Sequence, residues 1–255
     1  MKRSSARFSA AFPFLFPRKR LFRMSAYVSL LIFAAAQFAG CAAKGTAEYR
    51  DGMAACAEAQ YRQAAESFHE AALQGHPEAQ LMLGLCIMEG YGVEQNRAES
   101  VKWLRAAADQ GDPDALFFLA SCYFKGEGVD RNLTEAFGLI RKAAAKGNVM
   151  AQCNLGFCYE EGKGIGQDKA EAVKWYRQVA KRSLDEFSSP LDSFGEKESD
   201  AVREFVVSFV YRLGSCCEHG EGVARDLDEA VKWYRAAADR GNADARKALI
   251  RLGLE

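Results

Sequence analysis

Acidic residues are missing from the first 40 positions of this 255-residue chain, which hold seven basic ones: Lys2, Arg3, Arg7, Arg18, Lys19, Arg20 and Arg23. Beyond them it is positive charge that runs short. There 27 basic residues face 34 acidic ones, a net −7, although the whole chain sums to zero. That sign excludes nucleic acid as a partner, because such binding needs clustered Lys and Arg. Histidine is scarce. His69, His76 and His219 stand in no HExxH or CxxC context, so no metal or other cofactor is expected, and His69 and His76, on either side of a helix end, read as solvated. A content of 49% hydrophobic and 27% charged residues excludes wholesale disorder, collagen and a multispanning membrane protein. A chain of this length and content can bury a substantial core.

The amino terminus reads as an address. Residues 24–43 carry no charge and lie between Arg23 and Lys44, with an apolar centre of signal-peptide length from Ala26 to Ala39. The run ends in Phe38-Ala39-Gly40-Cys41. Small residues before a cysteine resemble a bacterial lipobox, with Phe38 in the place of the usual aliphatic residue. That resemblance implies a signal peptide over 1–40, lipidation of Cys41 and a lipid-anchored linker over 41–46. Ala42, rather than aspartate, implies sorting to the outer membrane, facing the periplasm or the surface. The alternative is an uncleaved inner-membrane anchor with periplasmic repeats, since twenty uncharged residues just span a bilayer. Both readings put the remainder across the membrane from the basic segment.

The rest is a repeat. Gly75, Gly111 and Gly147 are 36 residues apart. With each counted as place zero, Leu83-Gly84, Leu119-Ala120 and Leu155-Gly156 fall at places eight and nine. The turns Gly90-Tyr-Gly92-Val93, Gly126-Glu-Gly128-Val129 and Gly162-Lys-Gly164-Ile165 fall at fifteen to eighteen, and Trp103, Leu139 and Trp175 at twenty-eight. A fourth copy contains Leu213-Gly214, Gly220-Glu-Gly222-Val223 and Trp233, with its zero at Phe205 after a 22-residue insertion, 183–204.

Each unit reads as two antiparallel helices. Ala79, Leu83, Cys86 and Ile87 keep helical spacing over 77–88. Gly90 and Gly92 break that helix, Val101, Leu104 and Ala108 share a face of the next, and Gly111 ends it before Asp112-Pro113 starts the following unit. Small residues at places four and nine let helices approach closely, and the tryptophans are expected to fill the gaps between them. One pair cannot bury both its faces, so the pairs must stack. The expected pairs lie near 47–74, 75–110, 111–146, 147–182 and 205–240, with a cap at 241–254, making one helical repeat domain over 47–254.

The pattern AxxxLGxxYxxGxGVxxDxxxAxxWYxxAA, nearly whole in Ala151–Ala180, resembles the Sel1-like repeat family, a relative of the tetratricopeptide repeats. The resemblance implies an all-α fold, a right-handed α-solenoid of antiparallel helix pairs whose concave surface scaffolds protein complexes. It departs at Leu139, at Asn96 and Asn132 where aspartate is common, and at the insertion. The function expected is a non-enzymatic scaffold of the cell envelope that binds a protein or peptide partner and is held at the membrane by its lipid. Two alternatives stand beside it: a purely structural envelope lipoprotein, and an enzyme acting on the cell wall or on β-lactams, as discussed for cysteine-rich relatives. No SxxK, SDN or KTG is present, so a serine β-lactamase mechanism has no nucleophile apparatus.

Eight cysteines in an exported chain first suggest disulfides. Cys86, Cys122, Cys158 and Cys216 all occupy place eleven, however. Equivalent points on stacked helices lie about 8–10 Å apart, whereas a bridge needs Cα atoms within about 7 Å. Except for Cys41, the cysteines read as small buried hydrophobes. Glu99, Glu135, Glu171 and Glu229 recur at place twenty-four, which marks a structural or solvated role. The insertion holds seven acidic and two basic residues and reads as a solvated loop, or else as an acidic recognition loop, with Asp200 capping the helix that follows. Places six, ten and thirteen share one side of the first helix in each unit. The partner-binding residues expected there are Leu81, Leu85, Met88, Phe117, Phe124, Phe157, Glu160, Tyr211 and Glu218, the aromatics as anchors and the two glutamates selecting a basic or polar group. Packing of the aromatics against adjacent repeats is the competing reading.

Overall fold

The computed structural model describes residues 44–186 and 196–254. Among the described residues there are eleven helices and no strand. In chain order they are α1 (Thr46–Ala57), α2 (Tyr61–Leu73), α3 (Pro77–Glu89), α4 (Arg97–Asp109), α5 (Pro113–Lys125), α6 (Leu133–Ala145), α7 (Val149–Glu161), α8 (Lys169–Glu186), α9 (Glu196–His219), α10 (Leu227–Ala238) and α11 (Ala243–Arg251). The principal contacts join helices consecutive in sequence, so the antiparallel pairs stack as a right-handed α-solenoid. Among the described residues no helix is long and apolar enough to cross a membrane.

Local chemistry sets the helix ends. The Oδ1 atoms of Asp112 and Asn148 accept the backbone N–H of Ala115 and Ala151 at 2.7 and 2.6 Å, capping α5 and α7. Asn96, Asn132, Asp168 and Asp226 cap α4, α6, α8 and α10 by accepting the N–H of Glu99, Glu135, Glu171 and Glu229 at 2.9–3.1 Å. The asparagines at 96 and 132 thus perform the aspartate's work, and the recurrent glutamates stand three residues into a capped helix.

The two glycines of each turn differ in purpose. Gly90, Gly126 and Gly162 end the first helices in the left-handed region, at φ 77°, 77° and 66°. The second glycine of each turn meets backbone from the preceding pair. A Cβ on Gly92 would stand 2.2 Å from the Tyr61 carbonyl oxygen, and one on Gly164 2.0 Å from that of Leu133. No side chain fits there.

The core runs between the two layers. Leu104, Ile140, Tyr176 and Tyr234, at place twenty-nine, are at most 1% exposed. They face the small residues at place nine, so that a Cβ added to Gly84 would lie 3.0 Å from Leu104 Cγ and one on Gly214 2.7 Å from Tyr234 Cδ1. This corrects the expectation for the tryptophans. Trp233 is 5% exposed, but Trp103 and Trp175 are only half-buried. One residue is a 100° turn of the helix, so place twenty-eight aims at the preceding second helix instead. There the Trp103 ring meets His69 edge-on at 6.0 Å. His76 also departs from the solvated reading: it is buried, stacks on Tyr49 at 4.7 Å, and sets Nδ1 3.1 Å from Glu78 Oε2.

Buried apolar residues form two clusters that meet on α7. Ala151, Leu155 and Cys158 belong to the cluster reaching back to α1, Cys153 and Phe157 to the one reaching on to α11. Much of the insertion becomes helix. The helix α8 runs for 18 residues where α4 and α6 have 13, and α9 starts at Glu196 and runs for 24. Asp200 therefore lies inside α9 and is not its cap, because Glu196, Lys197 and Glu198 favour helix and extend it by a turn. The stretch 187–195 lies outside the described residues.

Candidate partner-binding face

The helices α3, α5, α7 and α9 carry the expected positions on equivalent turns, and burial sorts them. At place six, Leu81, Phe117 and Cys153 are core residues. Leu85 and Phe157 are also buried, and the Arg212 guanidinium lies over the Phe157 ring at 5.6 Å. Glu218 is 6% exposed. These six are buried within the solenoid and present little to a partner. Met88, Phe124, Glu160 and Tyr211 remain half-exposed, with Ser121 and Ser215 beside them. Met88, Phe124 and Glu160 share place thirteen, near the carboxyl ends of α3, α5 and α7, so they make a stripe with one residue per pair.

The stripe changes chemistry along its length. In the amino-terminal half Met88 and Phe124 are followed, sixteen residues on, by aliphatic Leu104 and Ile140. In the carboxyl-terminal half glutamate is paired with tyrosine. The Tyr176 hydroxyl donates to Glu160 Oε2 at 2.8 Å, and Arg212 donates to the same oxygen. One unit on, the Tyr234 hydroxyl donates to Glu218 Oε2 at 2.7 Å, while Arg251 grips both carboxylate oxygens at 2.7 Å. The hydrogen bonds from Arg251 hold the Glu218 carboxyl below the usual carboxylate range. Burial, reinforced by Glu160, pushes the Tyr176 phenol well above its ordinary value.

Both glutamates expected to select a basic group are thus already engaged by arginines of this chain. Sequence reading missed Arg212 and Arg251, which reach across from the next helices and obey no short spacing rule. A signal for the tyrosines was present: glutamate at place thirteen accompanies tyrosine at twenty-nine in both units that have it.

The site offers little covalent chemistry. The seven described cysteines are buried and unbridged. Burial pushes the thiols up, that of Cys217 to about 11 and those of Cys56, Cys122, Cys158 and Cys216 to about 12, so thiolate is scarce at neutral pH. Among the described residues no group of three His, Cys, Asp or Glu side chains is placed to hold a metal ion. Cys41, the expected lipid acceptor, lies outside the described residues.

A family model described as the Sel1 repeat matches residues 77–112, 113–148, 149–183 and 208–242. Among solved structures, the chain is similar to c5321, a protective antigen of uropathogenic Escherichia coli strains displaying an SLR fold. The two are 32% identical with a TM-score of 0.56 over 82% of this chain and 48% of that one, so the chain spans about half the length of that relative. It is also similar to a Sel1 repeat protein from Oxalobacter formigenes, at 25% identity and a TM-score of 0.63 over 88% of this chain and 86% of that one. No curated protein matches the chain.

Proposed function

The chain belongs to the Sel1 repeat family, and from that premise we propose that it is a lipid-anchored scaffold of the bacterial cell envelope that binds a protein or peptide partner along its first-helix face. Sel1 repeats are generally protein-interaction scaffolds. The observation that carries the reading is the half-exposed stripe Met88, Phe124 and Glu160 on three successive pairs, with half-exposed Tyr211 at place six of the fourth. Methionine and aromatics are side chains that dominate interface energies when a partner covers them. Glu160 borders them but is already held by Arg212 and the Tyr176 hydroxyl.

Anchoring rests on Phe38-Ala39-Gly40-Cys41 and on the basic and uncharged stretches that precede it. The description of c5321 as a protective antigen fits a protein carried beyond the cytoplasm. With Cys41 as the first mature residue, only Ala42–Gly45 separate the lipid from α1. At most about 3.6 Å per residue, that keeps the solenoid near the bilayer, and its partner with it. Radiolabelled acyl chains should appear on the wild type and not on Cys41→Ser, which should leave the membrane fraction. Partner recovery should fall with Phe124→Ala and Tyr211→Ala combined, at little change in thermal unfolding. Absent acyl labelling overturns the anchor; unchanged recovery overturns the face.

A further inference from the structure

The four copies carry an internal comparison at the seam between second helices. Place thirty of one unit and places twenty-four and twenty-eight of the next give the sets Arg177, Glu229, Trp233 and Arg105, Glu135, Leu139. Between them lies Arg141, Glu171, Trp175, where Glu171 pairs with Lys174 of its own helix at 2.7 Å. In the first set the site is filled. Arg177 binds Glu229 through two nitrogens, at 2.8–3.2 Å, the Trp233 indole N–H donates to Glu229 Oε1 at 3.2 Å, and the indole is 5% exposed.

In the second set the indole is missing, because Leu139 carries only an isobutyl group. A cavity of about 310 Å³ opens there, lined by Arg105, Glu135 and Leu139 and floored by buried Leu116 and Leu119. Its size falls in the range of small ligand sites, about 300–1,000 Å³. Arg105 does not turn to Glu135; it donates to the uncharged Tyr123 hydroxyl at 2.7 Å. Glu135 is left without the indole donor and the guanidinium that its counterpart Glu229 holds. Lys142 and Lys146 stand at the mouth, exposed and without a carboxylate in salt-bridge contact among the described residues.

The geometry points to a second docking site, apart from the first-helix face, that takes a tryptophan side chain of a protein partner with a carboxylate close to it in sequence. The missing indole defines the shape, Glu135 is the acceptor for the incoming indole N–H, and Lys142 and Lys146 meet the flanking acid. Asp109, the other carboxylate on the rim, repels an acidic segment, so the flanking acid is placed on the Lys142 and Lys146 side of the mouth.

The test uses the full chain and a fluorescein-labelled acetyl-Ala-Trp-Glu-Asp-Ala amide, read by anisotropy. Saturable binding is expected, with a loss of tenfold or more when Leu139→Trp restores the indole and the melting temperature is kept or raised. Lys142→Ala with Lys146→Ala should weaken binding several-fold and flatten its salt dependence. A Lys-Trp-Lys peptide should bind less well. No saturable binding, equal binding by Leu139→Trp, or preference for the basic peptide overturns the site. So does binding that emerges only after Phe187→Ala and Phe194→Ala, which would make the acidic 183–204 segment of this chain the occupant.

Discussion

The ring of Tyr176 occupies the volume that the missing side chain of Gly156 leaves free: a Cβ on Gly156 would stand 2.5 Å from Tyr176 Cε1. The relationship recurs along the solenoid between Gly214 and Tyr234 and, where the partner is the smaller Ile140, an alanine, Ala120, suffices. Both tyrosines at place twenty-nine thus face glycine at place nine, whereas the smaller Leu104 and Ile140 face Gly84 and Ala120.

Gly156→Ala should destabilise the protein although alanine favours helix by about 1 kcal/mol over glycine. Overpacking against a buried ring costs about 1–3 kcal/mol, so the expected net loss is about 1 kcal/mol, measured by denaturant unfolding. In a Tyr176→Leu background the same Gly156→Ala change should cost less than it does in the wild type, as a double-mutant cycle would show. A stabilised single variant would show that the ring has room to move.

The tryptophans should separate in a mutational series. Trp233→Ala removes a buried ring and should cost about 3–5 kcal/mol. Trp103→Ala and Trp175→Ala, at half-exposed positions, should cost about half as much or less. Equal losses at all three would contradict the burial pattern.

Two carboxylates should give opposite pH signatures. Burial beside Asp112 pushes the partly buried Asp114 up to about 6, against the hydrogen bond from Asn148. Its folded form prefers the proton, so its penalty is present above pH 6 and is relieved as the pH falls toward about 4. Asp114→Asn should therefore stabilise the protein at pH 8 by about 1–2 kcal/mol, allowing for solvent screening, and remove that acid-side gain. Glu218 is held low, so its contribution is present above the ordinary carboxylate range and is lost as the pH falls below it. Glu218→Gln should remove that loss at low pH.

Thiol chemistry should report unfolding. The described cysteines are buried with raised pKa values, so maleimide labelling of the native protein at pH 7 should be slow at every one of them and should become fast in denaturant. Rapid native labelling of Cys217 would contradict its burial.

Much of the fold was legible because its signals are local. The paired glycines mark the end of one helix and the approach to another, and Asp112, Asn148 and their counterparts mark the starts. The distinction between Trp175 and Tyr176 was not legible: both suit a helical core, and only the supercoil decides which of two neighbours faces inward. Burial of Phe117 and Phe157 depends on how closely one pair stacks on the next, which is likewise absent from a single unit's pattern. Arg212 and Arg251 act across units. His76 reads as a helix-end residue until the Tyr49 ring is placed against it.

The most direct measurement of partner binding through the first-helix face is site-specific photocrosslinking in the intact envelope. Benzoylphenylalanine would replace Phe124, Tyr211 or, as an exposed control on the second-helix layer away from the Leu139 cavity, Lys232. The account predicts one discrete crosslinked species from positions 124 and 211 and none from 232. Crosslinking from 232 alone, or none from 124 and 211, would contradict it.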